Sequence, residues 1–492
     1  MKTFKTELFF YAAFFFVCIF ILLQSPLAPF AKSVNGIDSS VFIYSAQQML
    51  DGQLIYKDIV DHKGPFLYFI NVVALFIFNG NFIGVWIFEI ISLFVASVMM
   101  YKTARFFAGK ISAFLAVITA VLSLSPMLSG GNFAEEWALP FVSAALYIFV
   151  AYLKENKPLG IVRLFILSFT FVLTFMMKAN LTAIWAGFGI AMLIKWIIEK
   201  KYEELIRSLS FILLFVLLSL LPFFLYFYSK GILSDAIYLV FKFNLFEYGS
   251  RSNIAVLKVS LKILSGDFYL SVIPIIITIY LFFRDKTILH GGILLAFVFT
   301  AIACALGLGL RFYLIIFSPL LVIPYAYIFT GIEKTIPKAK YVCLFTVFIF
   351  CNLNIAFKQT QYILDNYSEK GYGLSTIPPP TMKILKEIII RNAKPTDKIL
   401  VKGYQTSVYL YSGRMCATRF PYPLRGASIS NKYYVEDAEK ALPKLIIQGD
   451  IVNPLDYSGL DNLSLDSLLN DKYQLIPAGI EGVEIWKLRD DM

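Results

Sequence analysis

Histidine, cysteine and charge are all scarce in this 492-residue chain, and each shortage removes a class of function. There are only two histidines, His62 and His290, and five scattered cysteines. No zinc site can be built with so few ligands. Cys18, Cys304, Cys343 and Cys351 lie in apolar runs and Cys416 stands alone near the C-terminus, with no CxxC and no pairing framework. Disulfides are therefore not expected. No internal repeat is visible, which argues against the repeated halves common among transporters. Charged residues make up 16% of the chain, where a soluble domain would carry roughly a quarter.

Apolar residues fill the gap. The chain is 58% hydrophobic and 17% aromatic. Its apolar residues come in blocks of about 17 to 25, long enough to cross about 30 Å of hydrocarbon as helices. The blocks predict an all-α polytopic membrane domain with about eleven transmembrane helices. These lie near residues 8–30, 82–102, 111–128, 138–153, 163–177, 181–197, 209–228, 268–283, 289–308, 312–330 and 340–357. An odd number of spans puts the two termini on opposite sides. A half-length apolar piece at 66–78 is ambiguous. The basic start MKTFK, followed by an apolar run, also fits a signal peptide, but the run is long and APFAK is a poor cleavage site.

Lys and Arg set the orientation. With the N-terminus cytoplasmic, seventeen cations fall in short cytoplasmic segments, while ten are spread over much longer loops on the other side. The expected place is the inner or plasma membrane, with residues 31–81 and the C-terminal part extracytoplasmic. Positive-inside bias also accounts for much of the net charge of +11, so no nucleic-acid partner is implied.

Two parts follow from composition. Residues 1–357 are the membrane domain and residues 358–492 a small extracytoplasmic α/β domain, introduced by the proline linker TIPPPT. In the second part TMKILKEIIIRN has helical spacing, KILVKG reads as a short buried strand, and the alternation continues to GVEIWKL. Its simplest role is accessory.

Charge gathers where these outer segments meet the membrane. Asp38 opens the amphipathic stretch SVFIYSAQQML, where Asp-Ser-Ser resembles a helix N-cap. The stretch suits a helix lying in the interface. DHKGPFLYF places His62 and Lys63 at a Gly-Pro break before an apolar run. Glu135 and Glu136 in SGGNFAEEWALP stand at a helix N-terminus, where acids ordinarily complement the dipole. Lys178 and Arg311 lie at the edges of apolar runs. There they either snorkel to headgroups or serve function. Cations at the rim suit a lipid-linked phosphate, and a carboxylate beside them suits deprotonation of an acceptor hydroxyl or amine.

These residues carry a resemblance. The chain resembles the polytopic glycosyltransferases of the GT-C superfamily, within them the family-39-like and RgtA/B/C/D-like group. That pattern is an Asp soon after the first span, a stretch ending in Lys-Pro-Pro or Lys-Gly-Pro, then an acidic pair in the next outer loop. Here these are Asp38, Lys63-Gly64-Pro65 and Glu135-Glu136, with weaker echoes in MMKANL, LRFYLIIFSPLL and VKGYQTSVYLYSGRMCATRF. The match covers most of the chain and is firmest over residues 30–140.

The resemblance implies a GT-C fold and transfer of a sugar, with inversion, from a polyprenyl-phosphate donor to an extracytoplasmic lipid, glycan or protein. Asp38 would be the general base. Glu135 or Glu136 would assist the acceptor or a metal, and Lys63 with its neighbour His62, Lys178 and Arg311 would hold the donor phosphate. The resemblance fixes no cofactor. A divalent ion, Mg or Mn, stays open, since some members of the superfamily need one; Asp38, Glu135 and Glu136 would then be its ligands. The chain departs from many relatives at Ser39, where an acid is common, and at Leu314, where a His is common. Two other classes compete. A lipid-linked sugar flippase would carry its ionisable groups near the bilayer midplane, where Glu89 is the main example here. A non-catalytic component of envelope polysaccharide assembly would tolerate loss of Asp38 and Lys63.

Overall fold

Prolines and glycines cut the apolar runs into the helices of the membrane part. The computed structural model describes residues 2–128, 130–155, 157–247, 272–305, 310–369, 371, 377–424, 428–452 and 465–490. Helix α1 (Lys2–Leu22) stops short of the apolar run's end at residue 30, because Pro26 and Pro29 cannot continue a hydrogen-bonded helix. The half-length piece is itself a helix, α3 (Pro65–Ile77), with Pro65 in its first turn after the N-cap Gly64. Proline is preorganised for that position and its missing N–H costs nothing there. At 1.5 Å per residue α3 is about 20 Å long, too short to span the hydrocarbon unaided.

The longer helices follow as α4 (Ile83–Ala104), α5 (Lys110–Leu122), α6 (Ala134–Glu155), α7 (Ile161–Phe175), α8 (Ala183–Ile198) and α9 (Tyr202–Ser229). Among the described residues, further helices of this part run over Val272–Asp285, Ile288–Ala305, Ser318–Thr335 and Lys340–Asn366. Among the described residues eight helices are long and apolar enough to cross a membrane, and Thr6–Leu22, Pro65–Ile77 and Ile161–Phe175 are shorter apolar ones. Parts of two expected spans, 268–271 and 306–308, lie outside the described residues. The last helix runs nine residues past the expected end at 357, to Asn366. There the Asn366 side chain caps chain turns at the end of α1, donating to the carbonyls of Leu23 and Ser25.

Packing pairs α4 with α6, α8 with Ile288–Ala305, α5 with Ser318–Thr335 and α7 with α9. A side chain on Gly187 would sit 2.5 Å from the backbone of Ala296, so glycine sets the close approach of α8 to its partner. Small residues at such crossings let helices touch where lipid supplies no hydrophobic drive. α9 exposes Leu213, Leu217, Leu221 and Phe224, a face suited to lipid.

Helix α2 (Ile37–Leu50) departs from the interfacial expectation. Most of it is buried, packed on α3 from one side and on the helix Ser407–Ser412 from the other. The covering element belongs to the C-terminal module. That module begins with a helix at Pro379–Asn392 and carries a five-stranded sheet in the order β2-β1-β3-β5-β4. The strands are β1 (Lys398–Val401), β2 (Met415–Cys416), β3 (Leu445–Gln448), β4 (Tyr473–Ile476) and β5 (Glu484–Leu488). β1 pairs in parallel with β2 and β3, and β5 runs antiparallel to β3 and β4. Central β1 and β3 are buried almost throughout, as continuous apolar strands are. One contiguous core joins the module to the helices.

Candidate active site

The charged residues singled out in the sequence converge where α2, α3 and α6 begin. Asp38 sits in the first turn of α2, but the N-cap is Gly36 and no side chain caps this helix. Capping therefore does not account for Asp38. Its carboxylate makes no hydrogen bond among the described residues. Asp38 keeps some accessible surface, yet protein packs closely around it. Loss of water raises its carboxyl above the ordinary range; Lys63 and Lys178 pull down against this, while Glu135 and Asp61 push up. The five groups Asp38, Asp61, Lys63, Glu135 and Lys178 thus share one electrostatic neighbourhood.

Gly64 positions Lys63. Its N–H donates to the Met177 carbonyl at 3.0 Å, and the Phe66 N–H donates to the Met176 carbonyl at 3.0 Å. A Cβ on Gly64 would lie 2.1 Å from the Met176 oxygen, so only glycine lets the two segments meet. The contact brings Lys63 and Lys178 together from segments more than a hundred residues apart. Lys178 Nζ donates to Glu135 Oε1 at 2.6 Å and lies 3.8 Å from the centre of the Tyr313 ring. A cation over an aromatic face gains attraction without losing its remaining donors.

Asp61 forms the floor. It is fully buried, accepting at Oδ1 from the His62 N–H and the Tyr422 hydroxyl, each at 2.6 Å. Its Oδ2 accepts from the Tyr68 hydroxyl at 2.5 Å. Burial pushes Asp61 up, but His62, Lys63 and the two phenols outweigh it and hold the carboxyl below its usual range. His62 itself is pushed down to about 3 by burial and by Lys63. It is therefore neutral at physiological pH, and Lys63 with the hydroxyls carries the stabilisation of Asp61. The tautomer follows from the neighbours. Lys63 Nζ can only donate, so at 3.3 Å it meets the lone pair of His62 Nε2. His62 Nδ1 then donates to Asn244 Oδ1 at 2.7 Å.

The remaining candidates sit differently. Glu136 is buried in the first turn of α6, and neither of its oxygens has a partner in the described structure. It neighbours Glu89 of α4, whose Oε1 accepts from the Asn132 backbone N–H. Glu89 thus pairs within the bundle with an amide, not a cation. Asn132, in the left-handed region at φ 58°, also joins its side chain to Asn71 and Trp137. Arg311 is exposed and opens the 3-10 helix Arg311–Phe317, two residues before the Tyr313 that lies under Lys178. Among the described residues no three acidic, histidine or cysteine side chains are grouped to hold a metal. With Glu135 engaged by Lys178 and Glu136 turned toward Glu89, the trio of Asp38, Glu135 and Glu136 does not fit a divalent ion.

Three contributors escaped the sequence reading. Asp61 stands beside His62 in the same stretch, so its position was available. Tyr422 lies in the aromatic run RFPYPLR, whose Arg425 falls outside the described residues. Asn244 has no signal in the sequence at all.

The sequence matches no model of a known protein family and no curated protein. Its structure is similar to solved ones. Against ArnT from Cupriavidus metallidurans bound to undecaprenyl phosphate, the TM-score is 0.66 at 10% identity, covering 98% of this chain and 98% of that one. Against the Archaeoglobus fulgidus oligosaccharyltransferase tethered to an acceptor peptide it is 0.55 at 11% identity, covering 98% and 74%. The archaeal oligosaccharyltransferase AglB from the same organism, with an inhibitory peptide and a dolichol-phosphate, gives 0.51 at 11% identity over 98% and 75%. Identities this low speak to architecture. The chain has the GT-C fold that these structures share.

Proposed function

We propose that this protein transfers a sugar from a polyprenyl-phosphate donor to an acceptor on the extracytoplasmic side, with Asp38 as general base. The observation that carries the reading is an unbonded carboxylate, Asp38, within the electrostatic reach of the ammonium groups of Lys63 and Lys178. The likeness to ArnT in its undecaprenyl-phosphate complex supports the donor class.

The residues divide the work. Asp38 takes the proton of the acceptor hydroxyl or amine as that atom attacks the anomeric carbon. The carbon–oxygen bond to phosphate breaks, and its electron pair leaves on the polyprenyl phosphate. Because attack and departure are on opposite faces, the anomeric centre inverts. Lys63 and Lys178 stabilise the charge gathering on the departing phosphate, and Arg311 is assigned to the same group. Both ring nitrogens of His62 are engaged, which suits it to orienting Lys63. Glu135 holds Lys178 in place, and Asp61 is a positioning anion beneath Lys63.

The test is transfer in proteoliposomes from a panel of undecaprenyl-phosphate sugars, with membrane lipid extract as acceptor. Wild type should transfer, and Asp38→Asn should lose about 100-fold or more while still binding undecaprenyl phosphate. Equal transfer by both proteins would remove Asp38 as the base. Movement of intact donor between leaflets without transfer would favour a flippase.

A further inference from the structure

A second polar site lies at the far end of α2. A cleft of about 460 Å3 opens between the last turns of α2, the loop after it, the edge strand β2 and the helix Ser428–Ala441. Lys57, Lys398 and Lys440 line it from three different elements, and none of them makes an ion pair among the described residues. Two acids also line it, but both are occupied. Asp58 accepts from the Leu54 N–H at 2.9 Å. Asp437 is held by both ends of the Arg419 guanidinium, at 2.8 and 2.9 Å. Arg419 neutralises Asp437 and Asp58 offsets one lysine, so the lining of this concave site keeps a net positive charge.

Gln48 adds an independent sign. Its side chain faces the cleft, is only 8% exposed, and has no hydrogen-bond partner in the described structure. Its amide opens onto the cleft and offers both a donor and an acceptor there, which suits a ligand rich in hydroxyls. We propose that this cleft binds an anionic glycan, with the lysines taking its phosphate or carboxylate and Gln48 a sugar hydroxyl. Its place suggests which glycan. Gln48 stands ten residues along α2 from Asp38, about 15 Å at 1.5 Å per residue, and the Val60 N–H, next to Asp61, donates to the carbonyl of Arg419 in the cleft lining at 2.7 Å. An extended acceptor would reach both, its anionic part in the cleft and its accepting group at Asp38. This last step rests on the transferase reading.

The test is calorimetric titration of the full chain in phosphatidylcholine nanodiscs with glucose 6-phosphate, glucuronic acid and neutral methyl glucoside. The two anionic sugars should bind, more weakly as salt rises, and the neutral one should not. The triple variant K57Q/K398Q/K440Q should lose tenfold or more in affinity, and Gln48→Ala should weaken binding without changing its salt dependence. No binding of either anionic sugar, or equal binding by the triple variant, would overturn the site. Displacement of glucose 6-phosphate in phosphatidylglycerol nanodiscs would assign the cleft to lipid headgroups and overturn the glycan. Undecaprenyl phosphate binding, read in the same discs, separates the two proposals. If it persists while cleft binding fails, only the cleft falls. If the sugars bind but neither undecaprenyl phosphate binding nor transfer is seen, the transferase reading falls and the anion site stands.

Discussion

Asp38 owes its proposed role to what surrounds it. Crowding out of water raises its pKa, and the two lysines only partly offset this. A base must be deprotonated to act, so transfer should fall as pH drops through that raised value. The acid limb of the pH–rate profile should therefore lie above the ordinary carboxylate range near 4, as measured by initial rates in proteoliposomes between pH 4 and 8. A limb at or below about 4 would assign it to another group. Asp61 is the counter-example a few residues away. It is more deeply buried, yet two phenols and Lys63 hold it ionised. Burial alone does not decide a carboxylate's state; the donors around it do.

At the scale of elements, the site depends on one crossing. The segment before α3 lies against Met176 and Met177 so tightly that any side chain at position 64 would collide with backbone. Gly64→Ala should destabilise the protein by about 1–3 kcal/mol, the usual cost of overpacking, and should lower transfer by displacing Lys63. Gly160→Ala is the fitting control, because nothing lies within 4 Å of a Cβ there. Thermal unfolding of the two purified variants in one detergent compares them directly; equal midpoints would mean that the crossing yields easily. The Gly-Pro pair of DHKGPFLYF was visible in the sequence as a break before an apolar run. The partner turn at Met176–Met177 that makes glycine necessary was not, since it lies more than a hundred residues further on.

At the scale of the whole molecule, one junction between the module and the helices is made at Asp61. Tyr422, from the C-terminal module, donates its hydroxyl to that carboxylate at 2.6 Å, and Val60 donates its N–H to Arg419 beside it. The module expected to be accessory therefore completes the floor of the candidate site. Hydrogen bonds to buried charges contribute about 1.5–3 kcal/mol, so Tyr422→Phe should reduce transfer roughly tenfold or more. Limited proteolysis should show the module still docked. Unchanged transfer would mean that the module covers the site without tuning it.

What the sequence determined by itself was everything that depends on local pattern. Apolar blocks of membrane length, prolines that end helices, and the alternation of short helices and strands after residue 378 all act over a few residues. The motif Asp38, Lys63-Gly64-Pro65, Glu135-Glu136 was legible for the same reason, and it pointed to the GT-C fold that the structure has. Tertiary structure decided the rest. Whether Glu135 or Glu136 meets Lys178 depends on the rotation of α6 about its axis, which adjacent acids cannot reveal. Whether Asp38 caps its helix or stands unbonded depends on backbone geometry at Gly36. Which anion Tyr422 reaches depends on docking a sheet onto a bundle across 361 residues of chain. Such contacts are set by long-range packing of whole elements, and no spacing within either partner encodes them.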